Sequence, residues 1–184
     1  SKDLQKLLGD KQEEIRERNQ ELEEGVFRAT LDPRRPTVAP QHEEAPPHLN
    51  FAPMDNALDK LSHSADRYRK ALLQKQAGLS ELQIESLRAL NAKLIESERK
   101  LTNDDGLPRR PWYKHLLYAP GVYSGYGVKT VPGVREGIEQ KKYAEAEQEI
   151  TRVAKALDQE SELIDSAAEV LEKAAQSASS GAGK

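Results

Sequence analysis

The feature that most restricts the fold of this chain is a run of apolar residues whose spacing alternates between four and three. The members of the run are Met54, Leu58, Leu61, Ala65, Tyr68 and Leu72. This is the a/d spacing of a helix that buries one narrow seam against its neighbours. Because only 36% of the 184 residues are hydrophobic and 32% are charged, the core has to be thin. A set of amphipathic helices with narrow apolar stripes meets that constraint.

Three further segments carry seams of the same kind. In residues 2–29 the apolar positions lie on one side of a helix, but they form a thin stripe that needs a partner. Another seam follows the interruption at Gly78 and runs to Leu101, and the last runs from Tyr143 to about residue 177. Gly133 and Gly137 indicate a short helix and a bend before that last long helix.

We therefore predict an all-α fold, an antiparallel four-helix bundle with long connecting loops that forms a single domain over residues 1–184. A proline-rich loop occupies 30–53, a loop rich in proline, glycine and aromatic residues occupies 103–131, and a frayed tail occupies 178–184. An extended coiled coil is the alternative, but loops of this length do not suit a simple rod. Both ends read as cuts from a longer protein, with a native start that has lost its methionine as the alternative.

Composition excludes several classes of function. The 28 basic and 31 acidic residues nearly balance, for a net charge of -3, so we expect no nucleic-acid partner and no membrane contact. The chain has no cysteine, which rules out disulfides, zinc fingers and thiol chemistry. No apolar run approaches the roughly 18 residues of a membrane-spanning helix. The composition leaves the compartment open.

The histidines and carboxylates do not form a recognisable catalytic or metal motif. His42 and His48 flank two glutamates in a proline-rich loop, a setting that lacks the preset geometry of a zinc site. His63 has Asp59 one helical turn away, which indicates a surface ion pair. The H-E-x-x-H, G-x-S-x-G and Walker patterns are absent. We therefore predict no metal ligand, no cofactor and no catalytic residue in this chain.

The segment 103–127, NDDGLPRRPWYKHLLYAPGVYSGYG, departs from the helical composition around it. It holds five of the nine aromatic residues, namely Trp112, Tyr113, Tyr118, Tyr123 and Tyr126. Its prolines favour an extended entry. We expect the loop to be anchored on the bundle by Pro111, Trp112, Tyr113, His115, Tyr118 and Pro120. Glycines nearby allow sharp turns, so Tyr123 and Tyr126 suit a contact made by a loop on a rigid scaffold.

The residues from Gly106 onward resemble a family pattern. The pattern G-L-P-x-R-P-[FWY]-Y-[RK]-H-[LV]-[LI]-[YF]-A-P, followed after a loop by P-G-[IV], is that of the C-terminal helical domain in the transferrin receptor and glutamate carboxypeptidase family. The matching residues here are Gly106, Leu107, Pro108, Arg110, Pro111, Trp112, Tyr113, Lys114, His115, Leu116, Leu117, Tyr118, Ala119, Pro120, Pro132, Gly133 and Val134. By the order of its helices, the resemblance covers essentially the whole chain.

The resemblance implies a dimerization domain at the C-terminus of a longer protein. The implied partners are a second copy of this chain and the protease-like and apical domains of the parent. Two zinc ions and the catalytic glutamate would lie in the protease-like domain, outside this sequence. In carboxypeptidase members, a Lys-Tyr pair of the loop binds the carboxylate of a C-terminal glutamate-like residue. Tyr126 corresponds to that tyrosine, whereas Gly125 stands in place of the lysine.

From the resemblance we expect a non-catalytic domain that mediates homodimerization of a glutamate carboxypeptidase-like zinc metallopeptidase. Its loop would contribute Tyr126 to the substrate pocket of the full-length protein. The glycine at position 125 is compatible with a peptidase of different specificity or with an inactive homologue. The alternative function is a stand-alone helical adaptor whose seam binds a partner helix. Family members include proteins anchored in the membrane at the cell surface or vacuole, with the anchor at the N-terminus of the parent.

Overall fold

The computed structural model describes residues 1–26, 40–75, 84–123 and 125–181. In these ranges the chain forms five helices, one additional helical turn and a two-stranded antiparallel hairpin. In chain order they are α1 (Lys2–Glu23), α2 (Ala52–Lys75), α3 (Ile84–Leu94), the turn Ser97–Lys100, β1 (Tyr118–Pro120), β2 (Val128–Thr130), α4 (Pro132–Glu139) and α5 (Tyr143–Gly181). None of the helices in these ranges combines the length and the hydropathy of a membrane span.

The long helix α5 is the element around which the others are arranged. Helices α2, α3 and α4 and the turn Ser97–Lys100 all contact it. The seam predicted from the sequence is confirmed by the burial of Ala146, Ile150, Val153, Leu157, Ala168 and Leu171. Removing such an apolar stripe from water is the main gain that holds amphipathic helices together.

Helices α2 and α5 form the most extensive helix pair, and they run in the same direction. Polar contacts advance together along both helices, from Lys60–Asp158 through Ser64–Asp165 to Arg67–Glu172. The hydrogen bond that Arg67 donates to Glu172 holds the pKa of that carboxyl below its ordinary value. These contacts lie beside the apolar seam, so they specify the register in which the two helices pack.

Helix α3 and the segment after it run back along α5. Leu90 and Leu171 belong to one buried cluster at the far end, and Ser97 donates to Glu160 at 2.6 Å. From Leu90 to Ser97 the residue numbers rise, whereas those of the partners on α5 fall from Leu171 to Glu160. The pairing is therefore antiparallel. The interruption predicted at Gly78 falls outside the described residues.

Helix α1 packs at the opposite end, against α4 and the segment that leads into α2. Leu4 and Leu8 join the main core beside Leu49. Asn19 clamps the backbone of Glu43, because its amide donates to the carbonyl at 2.7 Å and its side-chain oxygen accepts from the amide N–H at 3.0 Å. The partner that the thin stripe of this helix requires is therefore α4 and an extended segment of chain.

Two features correct the predicted all-α, antiparallel four-helix bundle. The loop 103–131 contains the β1–β2 hairpin, so the fold is mostly helical rather than all-α. The helices surround α5, the α2–α5 pair is parallel, and α1 is held through α4 rather than standing as an equal fourth member. Boundaries also differ: α1 ends at Glu23, and α5 continues to Gly181 past the expected end at residue 177. The predicted end of the first helix at residue 29 lies outside the described residues.

Replacing Ile138 by Ala tests the core around α4. Ile138 is fully buried, whereas Val26 just after α1 is 46% exposed and provides a comparable truncation in a solvated setting. We expect I138A to lower the free energy of unfolding by about 2–5 kcal/mol and V26A to change it by less than about 0.5 kcal/mol. Urea unfolding of both variants measures the difference. Equal losses in the two variants would contradict the placement of α4 in the core.

Candidate functional site

The aromatic segment doubles back on itself before it reaches the hairpin. Backbone hydrogen bonds join Leu116 N–H to Leu101 (3.0 Å) and Leu107 N–H to Tyr113 (2.8 Å). Leu107 and Leu116 are fully buried in the main core. This segment is therefore a folded part of the scaffold, although its proline and glycine content excludes regular helix.

Gly106 makes the first turn of this segment possible. Its φ is +66°, a conformation that side chains rarely adopt. A Cβ at this position would also overlap the backbone carbonyl of Pro111. The glycine of the G-L-P motif is thus required both for its backbone angle and for the close approach of the two chain segments.

A buried ion pair joins the segment to α4. Arg110 and Glu136 are only 6% and 2% exposed, and Arg110 Nη2 lies 2.9 and 2.7 Å from the two carboxylate oxygens of Glu136. The second terminal nitrogen, Nη1, donates to the carbonyl of Pro120. Glu136 Oε1 also accepts from the backbone N–H of Val122 at 3.0 Å. One pair of charges therefore holds three separate parts of the chain.

The β1–β2 hairpin turns one face inward and the other outward. Its register pairs Ala119 with Lys129 and Pro120 with Val128, and opposed residues share a face of a two-stranded ribbon. Ala119 is buried and Lys129 pairs with Glu139 of α4, so this face lies on the scaffold. The outward face carries Tyr118, Pro120, Val128 and Thr130.

The tip of the hairpin, residues 121–123 and 125–127, presents two tyrosines to solvent. Tyr123 is 85% exposed and Tyr126 is 99% exposed. Gly125, beside Tyr126, has a φ of +68°, which a glycine adopts without strain. The stretch from Leu116 to Val128 contains no charged residue. The tip can therefore offer phenol hydroxyls and ring faces, while its own side chains supply no cation.

The predicted anchors divide into two groups. Tyr113 packs partly on the core, Pro120 is half-buried, and the largely buried His115 ring accepts at Nδ1 from the amides of Leu117 and Tyr118 at 3.2 and 3.4 Å. Pro111, Trp112 and Tyr118 are exposed instead, Trp112 by 70%. Tyr118 nevertheless contacts the scaffold, because its hydroxyl donates to Glu98 at 3.3 Å and its ring centroid lies 3.8 Å from that of His115. Leu107, Arg110 and Leu116 of the same segment are buried.

Sequence reasoning gave Arg110 and Glu136 no role. Arg110 is a member of the matched pattern, whereas Arg109 stands at a position that the pattern leaves open. Glu136 gave no signal, because six of the eight residues of α4 are buried and helical periodicity cannot separate an inner from an outer face.

A second buried carboxylate explains the P-G motif at the start of α4. A Cβ on Gly133 would overlap Glu149 Oε2, so any larger residue here would require the Glu149 side chain to shift. Arg152 pairs with Glu149 and also donates to Asn103 (2.8 Å) and to the carbonyl of Gly106 (2.7 Å). Burial raises the pKa of the Glu149 carboxyl although Arg152 opposes the shift. This pair connects the turn at Gly106 to α5.

These features agree with one protein family. The model of the transferrin receptor-like dimerisation domain matches residues 49–177. The chain belongs to this family. The match begins just before α2, includes the aromatic segment, the hairpin and α4, and ends within α5, so α1 lies outside it. The resemblance inferred from the G-L-P and P-G patterns is thereby confirmed.

Curated relatives of this dimerisation domain are much longer proteins. A probable glutamate carboxypeptidase LAMP1 of Arabidopsis thaliana is 33% identical over 124 residues, which are 64% of this chain and 17% of that protein. A probable glutamate carboxypeptidase of Arthroderma benhamiae is 32% identical over 111 residues, 60% of this chain and 15% of that protein. An inactive zinc metalloprotease of Schizosaccharomyces pombe is 26% identical over 108 residues, 59% and 14% respectively. The chain thus spans less than a fifth of each.

The acidic and histidine side chains of this dimerisation domain were compared with the requirements of a metal site. No group of three or more His, Cys, Asp or Glu side chains in the described ranges could hold a metal ion. The family is nevertheless one of zinc peptidases, and its members include both probable peptidases and an inactive one.

Replacing Glu149 by Gln tests the electrostatics of the Gly133 contact. The pKa of Glu149 is raised in the folded state, so the folded protein binds this proton more tightly than the unfolded chain does. The stability of the wild type therefore falls as pH rises from the unfolded pKa of this carboxyl through its folded pKa.

Glutamine does not titrate, so E149Q loses this pH dependence. The unfolding free energy of the variant, minus that of the wild type, should increase from pH 4 to pH 7. Urea titrations at several pH values measure it. The matched control is E17Q on the exposed surface of α1, and a pH-independent difference for E149Q would contradict the expectation.

Proposed function

We propose that this chain is the non-catalytic helical domain of a glutamate carboxypeptidase-like protein and that it mediates association of two copies of that protein. The match of residues 49–177 to the dimerisation domain family is the observation that carries the proposal. The low coverage of the relatives, 14–17% of their lengths, supports a role as one domain of a longer parent.

In this proposal the chemistry belongs to another domain of the parent. The two zinc ions implied by the resemblance would be bound by the protease-like domain, with no ligand from this chain. Relatives named as probable carboxypeptidases favour a zinc-dependent carboxypeptidase as parent, and the inactive relative shows that the family also contains proteins without that activity.

The surface of α3 offers apolar residues for pairing with a second copy. Ile84 at its start and Ile95 just after its end are 68% and 67% exposed, and Leu73 near the end of α2 is 56% exposed. Exposed aliphatic side chains of this size gain free energy when a partner removes them from water. The neighbouring cluster around Leu90 is small, so a partner on this side would enlarge a thin part of the core.

Sedimentation equilibrium of the 184-residue chain tests the association. We expect the average mass to rise with concentration from 20.6 kDa towards twice that value. The double variant I84D/I95D should weaken association, because it would place charges in an apolar contact. The control is V26D, which alters an exposed residue outside the matched family range. A monomer at every concentration, able to bind only foreign helices, would favour the adaptor alternative.

The tip supports a second part of the proposal, in which Tyr126 contacts substrate in the parent. Its ring is almost fully exposed on a tip whose supporting hairpin is fixed to α4, so a partner domain can approach it without rearranging the scaffold. The phenol hydroxyl can donate to a carboxylate of a bound peptide. The outward hairpin face provides uncharged surface on which the protease-like domain of the parent could pack.

The variant Tyr126→Phe in the full-length parent tests this contact. It removes the hydroxyl and keeps the ring, so we expect KM for a peptide substrate to rise about tenfold, the loss of one hydrogen bond to a charged group, with kcat little changed. For a parent that only binds peptide, the dissociation constant replaces KM. Tyr68→Phe on α2 is the control, and an equal effect of the two variants would contradict a role of Tyr126 at the substrate.

A further inference from the structure

We infer that the buried Arg110–Glu136 pair positions the tip and thereby determines where Tyr126 meets its ligand. The inference rests on the proposed function, since it concerns the same contact. It assigns to two residues outside the tip the task of holding it, so both are positioning residues that never touch the ligand.

The Arg110–Glu136 pair forms hydrogen bonds to the backbone on both sides of the point where β1 ends and the tip begins. Arg110 donates to the carbonyl of Pro120, the last residue of β1. Glu136 accepts from the N–H of Val122, two residues later. Because Gly121 lies between these two attachments and is itself buried, the direction in which the tip leaves the strand is set by one ion pair.

The returning side of the tip has weaker attachments to the scaffold. Gly127 accepts from the N–H of Gly121 at 2.9 Å, which links the two ends of the tip to each other rather than to a helix. Lys129 pairs with Glu139, but both side chains are about 30% exposed, and partly solvated pairs contribute little. The buried pair is therefore the stronger of the two links from hairpin to α4, because charges deep in the protein interact with less screening.

The geometry indicates positioning rather than stability as the role of the pair. Burying two charges is expensive, and an apolar replacement of equal volume is often as stable. Among the described residues the Nε of Arg110 is also buried without a hydrogen-bond partner. What an apolar pair could not supply is directional contacts to one carbonyl and one N–H of the hairpin.

The neighbouring arginine provides a matched control. Arg109 donates to both carboxylate oxygens of Glu145 at 2.7 and 2.9 Å, on α5 and away from the tip contacts. A lysine at either position keeps the charge but loses the planar fork that reaches two acceptors at once. Arg110→Lys should therefore weaken one of the contacts that fix the tip, whereas Arg109→Lys should weaken none of them.

Two measurements test the inference, one without ligand and one with it. In the 184-residue chain, hydrogen exchange at the amide of Val122 should accelerate about tenfold or more in Arg110→Lys, because Glu136, which accepts from that amide, would no longer be held by the guanidinium. In the full-length parent, KM or the dissociation constant for a peptide should rise about tenfold with little change in kcat. Arg109→Lys should change neither quantity. Glu136→Gln keeps an acceptor for the Val122 amide, so hydrogen exchange at that amide should be slower in Glu136→Gln than in Glu136→Ala.

The outcomes separate this inference from the proposed function. Equal behaviour of Arg110→Lys and Arg109→Lys, or unchanged exchange at Val122, overturns the positioning role. A full-length parent in which Tyr126→Ala leaves peptide affinity unchanged overturns the proposed substrate contact instead. The hydrogen-exchange experiment needs no ligand. It therefore tests whether the Arg110–Glu136 pair fixes the tip, whether or not Tyr126 contacts substrate. Thermal melts of each variant identify global unfolding, and Glu136→Gln remains informative if Arg110→Lys unfolds.

Discussion

Arg110 and Glu136 face each other inside the protein, where water cannot satisfy either charge. Each must therefore be compensated by the other and by backbone groups, and the chain supplies these from Pro120 and Val122. This requirement constrains everything between residues 106 and 138. The turn at Gly106 has to bring the arginine beneath the hairpin, and α4 has to present a glutamate at the same depth. These contacts tie the turn at Gly106, the end of β1 and α4 to one another.

Close approach between elements is the second constraint, and small residues make it possible. A Cβ on Gly137 would lie 2.8 Å from the Cβ of Ala146, so α4 meets α5 only because both positions are small. Val131, between β2 and α4, has a φ of +46°, a costly conformation for a β-branched residue. Its N–H bonds to Leu117 at 2.7 Å and its side chain packs on the core. Packing thus compensates local strain where the hairpin turns into the helix.

The parts of this fold that could be predicted are those in which one local pattern decides. The seam of α5 follows from apolar spacing, the bend before it follows from Gly133 and Gly137, and the family follows from an ordered motif. The role of α1 did not follow, because its thin stripe shows that a partner is needed without showing which. The hairpin was missed because three-residue strands are too short to show alternation. The burial of Arg110 and the exposure of Trp112 depend on tertiary contacts, which override the usual preferences of these side chains.

The same architecture is compatible with the two roles proposed for this domain. The apolar surface around Ile84 and Ile95 belongs to α3, which packs towards the C-terminal half of α5. The tip belongs to the hairpin, which is fixed through α4 to the other end of α5. Because separate helices carry the two surfaces, association on α3 need not disturb the tip. The rigid connection through α5 would nevertheless fix one surface relative to the other. A parent that pairs through α3 would thereby hold each tyrosine tip at a defined place in the dimer.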